Sequence, residues 1–176
     1  MAQVSKIELD TSAMQEYARF LKQAPKIARE EMERSVEEAL RLLKHEIQEN
    51  TPTGAHGHLR GSITHQLRGQ ALSDGLGVVG TVGSSLNYAL SVELGTKPHK
   101  VSIEGQVALR EWVEKKLGID PSRSASVAFL IARKISKKGT KGARMAGRAL
   151  DDNAAQVNQI VAAAVPRIVA RLQGGA

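Results

Sequence analysis

Apolar residues recur at steps of three and four between Lys26 and Asn50: Ala28, Met32, Val36, Ala39, Leu40, Leu43 and Ile47. That spacing places them on one stripe of a helix. Glu30 stands four residues before Arg34, and Glu37 four before Arg41, the favourable order for pairs on a solvated helix face. Asn50-Thr51-Pro52 predicts the end of the helix, since asparagine tolerates the left-handed terminal conformation and proline stops continuation. Upstream, Val4 to Leu9 alternates apolar and polar, the pattern of an edge strand. Asp10-Thr11-Ser12 offers N-cap oxygens, with Gln15 completing a capping box on Ser12, for a first helix over about Ala13–Gln23. Ala24-Pro25 predicts a break between the two helices.

After the long helix the period changes. Thr53 to Gly61 reads as a loop rich in glycine and histidine. Ser62–Leu67 and Gly75–Val82 read as strands, and Ser73-Asp74-Gly75 joins them as an antiparallel hairpin, because Asp-Gly accepts positive φ. Tyr88 to Leu94 fits a short helix or a strand, closed by Gly95-Thr96-Lys97-Pro98. His99 to Ile103 is β-branched and predicts a further strand. Gly105–Leu117 predicts a helix with Val107, Leu109, Trp112 and Val113 inward and Gly118 as its stop. Ser124 predicts the cap of another, Ala125–Ile135, with Val127, Ala128, Ile131 and Ile135 on its stripe. Lys137 to Gly142 reads as a basic, flexible link. A last helix spans about Arg144–Leu172, with Leu150, Ala154, Val157, Val161, Ala164 and Ile168 as a heptad-like seam and a kink at Pro166.

These elements predict an α+β fold. A small antiparallel sheet is packed by the Lys26–Asn50 helix and the C-terminal helix, in a single domain over 1–176 with an inserted helical pair at about 104–138. Aromatics are 3% of the 176 residues, so the core is aliphatic and few anchors exist for a small-molecule pocket. The sequence has no cysteine, which excludes disulfides, thiolate catalysis and cysteine metal sites. It has no apolar run of about 18 residues to span a membrane, and Met1 to Lys6 lacks the apolar core of a signal peptide, so synthesis in the bacterial cytoplasm is expected.

The formal net charge of +7 suggests a polyanion nearby, without saying which. A basic nucleic-acid-binding protein is therefore the alternative function, although aromatic stacking platforms are nearly missing. His56-x-His58 with His65 nearby invites a metal-dependent enzyme, but the adjacent motif supplies no carboxylate, and no metal or cofactor is expected. Ser62 and His65 lie three apart on a strand and point to opposite faces, so they form no nucleophile–base pair. Gly139-Thr140-Lys141-Gly142 has the wrong spacing for a P-loop. Glu93, a lone carboxylate near a turn, is expected to cap backbone amides or pair with a basic neighbour. No catalytic residue is assigned.

Three motifs in order carry a resemblance. Thr51-Pro52-Thr53-Gly54 follows the long helix, Leu59-Arg60-Gly61-Ser62-Ile63 comes next, and Tyr88-Ala89, Glu93 and Gly95-Thr96 close the set. The ordered set resembles the head–tail joining, or tail-completion, proteins of long-tailed bacteriophages, over most of Lys26 to Thr96 and the final helix. Ala55-His56-Gly57-His58 lengthens the usual loop. Gly105–Lys138, with Trp112 to Gly118, resembles an insertion found in a subgroup. The resemblance implies a non-enzymatic virion protein that completes the head-proximal end of the tail. It implies a hexameric ring that meets the tail tube or tail terminator and the head connector, and through which DNA passes without specific binding. Pro52, Gly54, Leu59, Ser62, Tyr88, Ala89, Glu93, Gly95 and Thr96 are then structural or interface residues. The basic cluster Lys137, Lys138, Lys141 and Arg144 is expected to face a partner or solvent rather than the DNA channel, because lumenal lysines would retard DNA.

Overall fold

The structure, a computed structural model, describes residues 12–72 and 75–174. The strand expected over Val4–Leu9, the cap residues Asp10 and Thr11, and Ser73-Asp74 of the hairpin turn lie outside the described residues. The chain divides into two compact units: Met1–Glu38, Leu67–Gly80 and Asn158–Ala176 form one, and Ala39–Gln66 with Thr81–Val157 form the other. The secondary structure is α+β, dominated by helices.

Helix α1 is continuous over Ser12–Asn50, with Pro25 inside it. The break expected at Ala24-Pro25 does not occur. A proline withdraws one N–H and strains one turn, at a cost of about 3 kcal/mol, but the turns on either side keep their own bonds. The end at Asn50 is where the sequence places it. There the Thr51 hydroxyl donates to the Ile47 carbonyl at 2.6 Å, satisfying one orphan acceptor of the last turn.

In the first unit, α1 buries a carboxylate beside a serine. Glu31 and Ser35 are both buried. Helix α7, Ala164–Gln173 (numbered in chain order), supplies the cations. Arg167 Nε donates to Glu31 Oε2 at 3.0 Å, and Arg171 Nη1 to Glu31 Oε1 at 2.9 Å. Arg171 also reaches Glu30 at 2.9 Å, and Arg167 reaches the Ser35 hydroxyl. A buried charge persists when paired and hydrogen-bonded in this way. The hydrogen bond from Arg171 leads the effects that hold the Glu31 carboxyl below its ordinary range, and Arg167 adds to it.

The second unit contains the core. Short helix α2, His58–Gly61, interrupts the stretch expected to be loop. Strands β1, Ile63–Leu72, and β2, Gly75–Ser84, form the hairpin, longer than the alternation suggested. Ile47, Leu59, Ile63, Met145 and Ala149 form the buried cluster, with Val82, Leu86, Ala89, Val92 and Ala146 packed around it. Tyr88–Leu94 resolves as a helix, α3, Ala89–Leu94, which leads directly into strand β3, Gly95–Thr96.

The helical pair is present as α4, Ile103–Leu117, and α5, Pro121–Lys138. His99 to Ile103 is not a strand. Ser102 caps α4 by accepting from the Gly105 amide at 3.1 Å, and this cap outweighs the weak β preference of the run. Gly118 ends α4 in the left-handed conformation at φ 62°, as expected. Val107 is exposed rather than inward, while Val113 is fully buried. Asp120, not Ser124, caps α5, through the Ser122 amide at 2.8 Å, with Pro121 at the first helical position where its missing N–H is harmless. Ser124 is instead buried within α5. Its hydroxyl donates to Glu114 at 2.6 Å, and together with Arg110 it holds the Glu114 carboxyl below its ordinary range.

The expected flexible link is ordered. Lys137 and Lys138 belong to the last turn of α5, and Thr140–Lys141 forms strand β4, antiparallel to β3 with Gly95 opposite Lys141 and Thr96 opposite Thr140. The last predicted helix divides into α6, Met145–Ala162, and α7. Pro166 sits in the first turn of α7, so the residue expected to kink the helix coincides with a break just before it.

Candidate functional site

The motif residues gather into one construction in the second unit. Leu59 and Ala89 enter the core, Leu59 as a buried member and Ala89 packed against it. Ser62 ends α2 and precedes β1. Its hydroxyl donates to the Leu59 carbonyl at 2.7 Å and lies 2.7 Å from the Ser84 hydroxyl, joining the first residues of β1 to the end of β2. The hydroxyl is thus engaged away from any base.

Glu93 behaves as a helix cap. Its Oε2 accepts from the Ala146 amide and its Oε1 from the Gly147 amide, each at 3.0 Å, on the first turn of α6. A carboxylate there satisfies two orphan donors and complements the helix dipole. The backbone follows the same path: Ala143 N–H donates to the Val92 carbonyl at 2.8 Å, and Arg144 N–H to the Glu93 carbonyl at 3.0 Å.

Gly95 and Thr96 complete this latch. Gly95 has φ 79°, and a Cβ there would fall on the Thr140 carbonyl oxygen and the Gly142 nitrogen. Gly139, at φ 69°, meets the Thr96 carbonyl in the same way from the other strand. Thr96 N–H donates to Thr140 Oγ1 at 3.1 Å, Thr140 N–H to Thr96 Oγ1 at 3.2 Å, and the hydroxyls lie 3.0 Å apart. The sequence flagged Glu93, Gly95 and Thr96 but missed their partners. Gly139, Thr140 and Gly142 carried the signal, in a glycine-flanked threonine within a stretch that otherwise reads as linker.

Pro52, Gly54 and Tyr88 are exposed and line an open groove. Its larger part, about 630 Å³, runs along Pro52 to Leu59, Tyr88 and Val92 on one side and Leu109, Glu111 and Trp112 of α4 on the other. A smaller hollow of about 360 Å³ continues from Pro52, Tyr88 and Val92 to Val101, Ile135 and Thr140. Glu111 lies on the rim. His56 Nε2 is 2.8 Å from Glu111 Oε1, and Lys115 Nζ donates to the same oxygen at 2.9 Å. The Lys115 hydrogen bond, followed by that of His56, holds the Glu111 carboxyl below its ordinary range. The His56 and His58 rings stack at 5.2 Å. Among the described residues, no three His, Asp or Glu side chains are arranged to hold a metal. No helix there is long and apolar enough to cross a membrane.

A family model matches residues 15–95, under the description "Bacteriophage HK97-gp10, putative tail-component". Those residues are HK97-gp10-like. No curated protein and no solved structure gave a match. The HK97-gp10-like segment holds the motif residues from Pro52 to Gly95, with Thr96 immediately after it. The strand and helix N-terminus that complete the latch, β4 and the start of α6, lie beyond the match. The family makes this a phage tail-related structural protein, of the virion and in contact with other virion proteins, and implies a non-enzymatic role. The nucleic-acid-binding alternative finds no support in it.

Proposed function

We propose that the protein completes the head-proximal end of the phage tail and joins it to the head, as one subunit of a neck ring. The observation that carries this reading is the HK97-gp10-like match over residues 15–95. The geometry of the motif supports it, because Glu93, Gly95 and Thr96 hold backbone to backbone, while Pro52, Gly54 and Tyr88 stay exposed beside them. Such a component presents rigid surfaces to neighbours. The ring would be hexameric, matching tail symmetry, and would sit between the tail tube or tail terminator and the head connector, with DNA passing through unbound. Lys137, Lys138, Lys141 and Arg144 are exposed, and they would turn toward a partner or solvent. Deleting the gene from its phage or prophage and imaging the lysate by electron microscopy tests this. Filled heads beside separate, otherwise normal tails are expected; intact infectious particles would overturn it.

A further inference from the structure

Two helical faces of the second unit are unpartnered within the chain and complementary to each other. Helix α5 carries Arg123, Arg133, Lys134, Lys137 and Lys138 and no acidic residue. Beside these cations, Phe129 and Leu130 are 61% and 59% exposed. With Ala125 and Ser126 they line a shallow hollow of about 430 Å³. Helix α6 presents the opposite chemistry. Leu150 is 53% exposed, followed by exposed Asp151, Asp152 and Ala154. Leu150 and Ala154 begin the heptad-like seam, a pattern that specifies a partner helix.

We propose that α5 of one copy of this chain docks on the Leu150–Ala154 face of α6 of a second copy, head to tail. The Leu150 side chain enters the hollow between Phe129 and Leu130, and Arg133 and Lys134 face Asp152. Charge complementarity selects the second copy. A duplex backbone would use the cations but has no aliphatic group for the hollow, whereas the α6 face supplies an aliphatic knob and carboxylates together. The two faces differ, so the contact is heterologous, and each subunit offers both; such a contact closes into a ring when its rotation permits. The inference rests on the ring reading of the proposed function and names the surfaces that would meet.

Charge reversal tests the pairing in the intact chain. Lys134→Glu and Asp152→Lys each place like charges across the contact, and each should weaken self-association in sedimentation equilibrium at least about tenfold. The double variant K134E/D152K restores opposite charges and should recover most of the affinity. Circular dichroism and Tm of all three should match the parent. The sequence has no cysteine, so L130C/A154C should form a ladder of disulfide-linked oligomers on oxidation, and each single cysteine variant should not. Self-association unaffected by both single reversals, or not restored by the double variant, would overturn the pairing. So would a persistent monomer, or DNA binding lost in K134E without any self-association. A neck ring visible in the virion without the 130–154 cross-link would reject this pairing and leave the ring reading standing. Absence of the protein from the virion would reject the ring reading, with the solution cross-link judged on its own.

Discussion

The Glu93 carboxylate sits on the first turn of α6, with Oε1 3.0 Å from the Gly147 amide nitrogen and Oε2 the same distance from that of Ala146. A residue that sequence alone leaves between a catalytic base and a cap is a cap. Replacing it with alanine removes two charge-assisted acceptors from a helix N-terminus. Glu93→Ala should lower unfolding free energy by about 1–2 kcal/mol, read from urea denaturation. Glu93→Gln should lose less. Hydrogen exchange should quicken at Ala146 and Gly147 before the rest of α6; unchanged exchange there would contradict the capping role.

The glycines of the β3–β4 latch are sterically required. Gly95 and Gly139 both have positive φ and both face opposing backbone. Gly95→Ala and Gly139→Ala should each destabilise by more than about 1 kcal/mol, with a clear fall in Tm. A Tm equal to the parent for either would mean the two strands do not approach as described.

Gly54 gives the contrasting case. A Cβ there meets nothing within 4 Å, and its φ is not positive. Gly54→Ala should change stability by no more than about 0.5 kcal/mol. If Gly54 belongs to a partner contact, as proposed, the same variant should yield fewer joined particles at an unchanged Tm. A lowered Tm would assign Gly54 to the fold instead.

Glu31 predicts an acid-dependent term. Its folded pKa is depressed below the ordinary 4.5, with the Arg171 hydrogen bond as the leading cause. A depressed carboxyl contributes stability that is fully present above the unfolded pKa and is lost as pH falls through the folded value. The stability difference between the parent and Glu31→Gln should therefore be full at neutral pH and shrink as pH falls below about 4.5. Denaturant titrations at several pH values check this; a difference that grows toward acid would contradict it.

Much of the fold was legible because period and capping speak locally. The stripe from Ala28 to Ile47, the stop at Asn50 and the turn at Gly118 all come from short-range chemistry. The errors lie where tertiary context decides. Pro25 marked a boundary locally, yet α1 runs through it. Val101 and Ile103 suggested a strand, but the Ser102 cap started a helix there. Lys137 to Gly142 looked like linker because the partner of Thr140 is Thr96, 44 positions away in sequence. The Glu31–Arg171 pair was hidden for the same reason. Of the motif residues, Glu93 could be read from its residue type and position near a turn. The steric demand at Gly95 could not, since it depends on backbone arriving from β4.

The account centres on a place in the virion, and a cryo-electron microscopy reconstruction of the head–tail junction tests it most directly. The account predicts density for this chain as a ring at the head-proximal end of the tail, with Lys137, Lys138, Lys141 and Arg144 turned away from the DNA channel. A virion without this chain at the junction, or a ring with those side chains lining the lumen, would contradict it.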